Sequence, residues 1–197
     1  MQYRVMDATG TYVLCDCTGY RLDGTDTEPN MYVGIIINRS LADTTDSVTG
    51  LGDIHALVNA IGEMRRVARE AGFIAIKVDD IAEVNARFGF DAGDRVLAES
   101  AACLMDCSRG KGRLFRSTGP TFVALFDELG PEAIDEIASE IERFLGSPVL
   151  IGSLEYQPPI RVATLHLDGV DRQPVSILNE LKARLIEAPQ VPGTKLD

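Results

Sequence analysis

Several groups of residues have the types and spacing to do chemistry. Lys77 and Asp79 lie two apart at the end of an apolar run, so strand alternation puts an ammonium and a carboxylate on one face. Adjacent on one face, the two charges could simply neutralise each other. Arg109, Lys111, Arg113 and Arg116 form a basic cluster. It could attract a phosphate, or it could be a solvated loop on an otherwise acidic chain. The cysteines fall in two close pairs, Cys15 with Cys17 and Cys103 with Cys107. That spacing does not suit a structural disulfide framework. With no CxxC and only His55 and His166 as histidines, no zinc site is expected. Cys103 and Cys107 lie near Leu97, Ala101 and Leu104 on a helical period and read as core-facing thiols. His166 reads as a packed or edge residue of a late strand. His55 stands near a helix start without a partner of evident spacing, so neither histidine suggests nucleophilic catalysis.

The whole chain bounds these readings. It has 197 residues, 45% of them hydrophobic and 25% charged, with a mean hydropathy of +0.03. Those values suit a soluble globule with a full core. There are 19 basic against 30 acidic residues, a net charge of -11. Such a surface repels phosphate backbones, so no nucleic-acid partner is expected. Apolar runs such as Gly34-Ile35-Ile36-Ile37 are too short for a membrane span. Met1-Gln2-Tyr3-Arg4-Val5 lacks the apolar stretch of a signal peptide. Reduced cysteines fit a cytoplasmic protein.

The elements that must position these groups follow from periodicity. Residues 1–6, 11–22 and 31–38 alternate or run apolar and read as three strands, with Asp7-Ala8-Thr9-Gly10 as a turn. Three antiparallel strands need a partner layer, so Tyr32, Ile35 and Ile37 are expected to present an apolar patch. A polar connector follows, and the rhythm then changes to alternating helices and strands. Ile54, Leu57, Val58, Ile61, Met64 and Val67 predict a helix over 53–71, with Gly72 ending it. A strand is predicted over 73–78, a short helix over 81–88, and a long helix to 108 capped by Asp91. Strands over 113–117 and 121–126 flank Thr118-Gly119-Pro120, a hairpin by turn chemistry. A helix over 131–145, strands near 149–151 and 160–167, and a helix over 175–188 complete an α/β domain, leaving a loose polar tail.

This second domain resembles the GGDEF family, the diguanylate cyclase domain of bacterial signalling proteins. Asp46-Ser47-Val48-Thr49-Gly50-Leu51 is similar to the family's D-x-L-T-G-L. Val78-Asp79, Asn85 and the run from Phe88-Gly89-Phe90-Asp91 to Gly93-Asp94-Arg95-Val96-Leu97 follow its D-x-D-x-F-K-x-I-N-D-x-Y-G-H-x-x-G-D-x-V-L. Arg116-Ser117 precedes Thr118-Gly119-Pro120-Thr121-Phe122 where the family has R-x-G-G-D-E-F. The resemblance implies a mixed α/β (α+β) sheet flanked by helices, of nucleotide-cyclase type. The first 40 residues resemble the last strands of a PAS domain, at Tyr3-Arg4-Val5 and Tyr32-Val33-Gly34-Ile35-Ile36-Ile37-Asn38. A whole PAS domain takes roughly 100 residues, so a longer natural protein is implied. The expected organisation is PAS-like strands over 1–40, a linker over 41–47, a GGDEF-type domain over 48–188 and a tail over 189–197.

Read position by position, the resemblance implies a degenerate site. The family uses carboxylates to hold two divalent ions against GTP. Its first metal Asp falls at Lys77, and its signature acids fall at Pro120 and Thr121, leaving Asp79 as the residual metal candidate. Its phosphate lysines fall at Ala82 and Pro189. Asn85 and Asp94 match residues that read guanine, although a helix end and a helix first turn would explain them without a base. The inhibitory R-x-x-D keeps Arg109 but has Gly112 for its Asp. These substitutions imply no catalytic residue and no cofactor. The expectation is a non-catalytic interaction or allosteric module of a larger cytoplasmic sensor, dimeric or partnered with other domains of that protein. Two alternatives stand beside it. One is an active cyclase using Mg²⁺ and GTP at an unorthodox site. The other is a domain that binds GTP without turnover.

Overall fold

The computed structural model describes residues 2–6, 12–22, 31–38, 44–68, 70–108, 110–145, 148–169 and 172–194, with the backbone alone described before residue 44 and at Val67. The chain divides into two units, 1–43 and 44–197. In the first, β1 (Gln2–Met6), β2 (Tyr12–Leu22) and β3 (Met31–Asn38) pair antiparallel in that order. Tyr3 lies opposite Cys15, and Gly19 opposite Gly34. The turn expected at 7–10 and the side chains of Cys15, Cys17, Tyr32, Ile35 and Ile37 lie outside the described residues.

The second unit alternates helices and strands as its apolar periods require. Its elements are α1 (Ile54–Val67), β4 (Glu70–Val78), α2 (Ile81–Phe88), α3 (Phe90–Ser108), β5 (Arg113–Arg116), β6 (Thr121–Asp127), α4 (Pro131–Leu145), β7 (Val149–Ile151), β8 (Leu154–Tyr156), β9 (Ile160–Asp168), α5 (Pro174–Glu187) and β10 (Gln190–Val191). Five strands form one antiparallel sheet in the order β10-β9-β4-β6-β5, and β7 pairs with β8 apart from it. The strand period of two divides the core between the two faces. Ile74, Ile76, Phe122, Ala124 and Phe126 pack with residues of α2, α3 and α4, such as Val84, Leu97, Leu104 and Ile134. Phe73, Ala75, Val123 and Leu125 pack with residues of α1 and α5, such as Leu57, Ile61, Ile177 and Leu181. Central β4 is covered on both faces, which is why its sequence runs apolar instead of alternating. This is the mixed α/β arrangement expected, with helices on both faces of the sheet. Among the described residues no helix is long and apolar enough to cross a membrane.

Three local readings need correction. Gly72 does not end α1. That helix starts at the Asp53 cap, whose carboxylate accepts from the His55 and Ala56 amides at 2.8 and 2.9 Å, and it stops at an extended Ala68. Gly72 lies within β4, between Phe126 and His166 on the neighbouring strands. A Cβ there would collide with the Ile134 side chain of α4, so glycine marks a close helix-on-sheet approach. Asp91 does not cap α3, which begins one residue earlier at Phe90. The break from α2 is made by Gly89 at φ 88°, a conformation that favours glycine. Asp94 therefore falls beyond the first turn. Lastly, residues 190–194 are held where a loose tail was expected. Gln190 and Val191 pair with Arg161 and Ile160, while Thr194 bonds Gln157 through its amide at 2.8 Å and its hydroxyl at 3.2 Å. These bonds satisfy backbone groups at the edge of β9.

Candidate functional site

The site is built at the end of β4 and around the β5–β6 turn. Lys77 and Asp79 leave the sheet on one side, as alternation predicts. Lys77 Nζ stands 2.5 Å from Asp79 Oδ1, with side-chain exposures of 43% and 7%. Oδ2 accepts from Arg161 Nε at 2.9 Å and from Gln190 Nε2 at 2.7 Å. Arg161 also donates to the Ala188 carbonyl at 2.8 Å, and the Asp79 amide donates to the Pro159 carbonyl at 2.8 Å. Burial alone would raise the Asp79 carboxyl. The hydrogen bonds from Lys77, Gln190 and Arg161, with the Lys77 charge, outweigh burial and hold it below the usual range. Sequence reasoning paired Lys77 with Asp79 but missed Arg161 and Gln190, which lie far along the chain with no local signal.

The turn is closed by Ser117 N to Thr121 O at 2.8 Å and Thr121 N to Thr118 O at 3.1 Å, with Gly119 at φ 56°. Pro120 gives its carbonyl to Val78 N at 3.0 Å, tying the turn to β4. Phe122 is 1% exposed and belongs to the core. Arg116 fixes the turn from below. Its Nε donates to Gly119 O at 2.9 Å, and Nη1 reaches both oxygens of Asp46 at 2.9 and 3.1 Å. Asp46 also accepts from the Thr49 amide and hydroxyl at 2.9 and 2.7 Å. Here too burial would raise the carboxyl, and the Thr49 and Arg116 bonds with the Arg116 charge hold it low. Arg116→Ala is expected to lower stability by about 2 kcal/mol, because it strips a part-buried carboxylate of its cation. Urea unfolding measures this, and a loss under about 0.5 kcal/mol would mean that the strap is dispensable.

The other expected residues are placed as follows. Asn85 lies on α2 with Oδ1 buried and without a hydrogen-bond partner among the described residues. A Cβ on Gly93 would overlap that oxygen, so the glycine lets α3 close onto α2. Asp94 follows it and is exposed, as are Ala82 and Pro189. The basic cluster is dispersed. Arg113 pairs with Asp127 at 3.2 Å and Glu63 at 3.5 Å, Arg116 with Asp46, and Lys111 is exposed, while Arg109 lies outside the described residues. At Gly112 a Cβ would stand 2.5 Å from the Phe126 ring, so the side chain that the resemblance expects has no room there.

Cys107 is buried and Cys103 half-buried. Burial, then the neighbouring Cys107, pushes the Cys103 thiol up to about 12, which makes its thiolate unfavourable. Among the described residues one group has metal-ligand types within 4.8 Å of one another, Glu70, His166 and Asp168. It lies at the opposite end of β4 from Lys77. Glu70 and Asp168 are 40% and 92% exposed, as in a surface ion cluster.

A family model described as diguanylate cyclase, GGDEF domain, matches residues 43–185. The chain belongs to the GGDEF family. Among curated proteins, a stretch of 113 residues is 29% identical to the cyclic di-GMP phosphodiesterase PdeR of Escherichia coli (strain K12), covering 56% of this chain and 17% of that protein. Another of 84 residues is 29% identical to the diguanylate cyclase DgcS of Shewanella oneidensis, covering 41% of this chain and 28% of that protein. The matches thus span less than a third of either relative. Of solved structures, the FimX GGDEF domain from Pseudomonas aeruginosa superposes with a TM-score of 0.70 at 16% identity, over 75% of this chain and 94% of that one. The diguanylate cyclase SiaD of the same species, solved with its activator SiaC, gives 0.69 at 20% identity, over 75% and 58%. The sheet and its flanking helices are therefore those of a GGDEF domain.

Proposed function

We propose that this GGDEF domain is a degenerate, non-catalytic member that acts by interaction or allostery within a larger cytoplasmic sensor, as a dimer or against other domains. In this reading the first unit is the end of a PAS domain. The observation that carries the proposal is the state of Asp79. Mg²⁺ takes hard oxygen ligands in near-octahedral geometry. Here the one remaining carboxylate is engaged by an ammonium, a guanidinium and an amide, while Lys77, Pro120 and Thr121 offer no carboxylate. These residues do not fit a two-metal centre.

Incubation with GTP and Mg²⁺ or Mn²⁺, followed by chromatography, is expected to yield no cyclic di-GMP. Saturable, protein-dependent product would overturn the reading in favour of an active cyclase. Lys77→Asp is expected to restore neither metal-dependent nucleotide binding nor turnover, since Arg161 and Gln190 still hold Asp79. Calorimetry with Mg²⁺ and a non-hydrolysable GTP analogue checks this, and strong binding by the variant would count against the proposal.

One observation favours a second reading, a domain that binds GTP without turnover. The Asn85 carbonyl oxygen is buried without a partner among the described residues, as an atom awaiting a donor would be. Titration of the unaltered chain with GTP, with and without Mg²⁺, separates the two. Binding that Asn85→Ala abolishes supports the receptor.

A further inference from the structure

A cleft of about 570 Å³ opens between α5, the start of α1 and the sheet. That size suits a small organic ligand. Its charged lining is entirely cationic, with Lys77, Arg161 and Lys182 and no carboxylate among the lining residues. This is a local inversion in a chain carrying 30 acidic against 19 basic residues. Two of the cations are preorganised, because Asp79 bridges them from behind at 2.5 and 2.9 Å. One carboxylate offsets only one of those two charges. Lys182 has no ion-pair or hydrogen-bond partner among the described residues. Thr118 and Thr121 add hydroxyl donors.

Apart from Ser117 and Asn179, the remaining wall is apolar. Ala75, Val123 and Leu181 belong to the core, while Leu178 and Ile54 are half-buried at the cleft. Ile186 also lines it and is 71% exposed, an apolar side chain left in water beside the opening. Asn85 and Asp94 do not line this space. Its selectivity is therefore for charge and hydrocarbon, without the residues that the family uses to read a base.

We propose that this cleft binds an organic anion of one chemical class, a carboxylate or phosphate monoester on an apolar chain or ring. The head is held by Lys77, Arg161 and Lys182 without a metal ion. The body displaces water from Leu178, Ile54 and Ile186. The inference goes beyond the absence of cyclase turnover and does not depend on it.

Calorimetric titration of the whole chain tests it, with octanoate, octyl phosphate, inorganic phosphate and octylamine as probes. Octanoate and octyl phosphate are expected to saturate at one site. Inorganic phosphate should bind at least about tenfold more weakly, for want of buried methylenes. Octylamine should not compete. Lys182→Glu reverses an exposed charge, which is compatible with folding, and is expected to weaken octanoate about tenfold. Ile186→Glu, at the lip, should weaken it as well. Absence of binding, equal binding of octylamine, or an unchanged affinity in Lys182→Glu would each overturn the proposal. Displacement of octanoate by GTP with Mg²⁺ would also overturn it, by making the cleft a nucleotide phosphate site, and would leave the turnover result untouched.

Discussion

Asp79→Ala is expected to lower the free energy of unfolding by about 3 kcal/mol, the scale for breaking a buried, hydrogen-bonded charge pair. The carboxylate is 7% exposed and takes three side-chain donors. Without it Lys77, Gln190 and Arg161 Nε lose their shared acceptor, and Arg161 keeps only its bond to the Ala188 carbonyl. Lys77 and Arg161 are 43% and 29% exposed, so partial hydration keeps the loss from growing larger. Urea denaturation of both proteins at neutral pH measures the difference, and a loss below about 1 kcal/mol would show that solvent replaces the carboxylate freely. The acid limb gives a second reading. Asp79 and Asp46 both have folded-state values depressed below the ordinary 3.8. A depressed carboxyl contributes stability that is complete above its unfolded value and lost as pH falls through its folded value. The unaltered protein should therefore lose stability below pH 3.8, and Asp79→Ala should lose less over that range.

Gly72→Val is the second large effect, expected at about 3 kcal/mol of destabilisation. Strand propensity alone would favour valine over glycine. The sign is set instead by Ile134, whose side chain occupies the space that a Cβ at position 72 would need. Ile134 is 1% exposed and packed within the core, so moving it aside disturbs its neighbours. The partner change Ile134→Ala opens that space. It costs stability by itself, about 2–5 kcal/mol, yet in the double variant the two losses should overlap by more than about 1 kcal/mol. Denaturation of the four proteins of the cycle decides it. Simple additivity would mean that the strand shifts away from α4 and that contact at Gly72 is unimportant.

These two residues also mark how far the sequence could be read. The mixed α/β layering was legible because apolar periods of 3.6 and 2 alternate along residues 53–188. The common face of Lys77 and Asp79 was legible because alternation needs no tertiary information. Gly72 was misread because a glycine after a helical period looks the same whether it stops the helix or admits Ile134. Gly93 and Gly112 carry the same ambiguity, and their meaning appears only beside Asn85 and the Phe126 ring. Gln190 reaches Asp79 across 111 residues and Arg161 across 82, with no periodicity linking either to its partner. The cationic cleft was missed for the same reason, since β4, β9 and α5 each contribute one of its cations.

The held tail bears on how this protein is handled at the bench. The family match stops at residue 185, and the last helix ends at Glu187. An expression boundary drawn there would discard Gln190, the short strand on the open edge of β9, and the Thr194 bonds to Gln157. It would uncap an edge and withdraw a donor from Asp79 in one cut. Gly193 sits so close to Pro159 and Gln157 that a Cβ would strike their backbone, leaving no space to rebuild the segment with a bulkier linker. Any boundary drawn on this side should therefore keep residues 188–194.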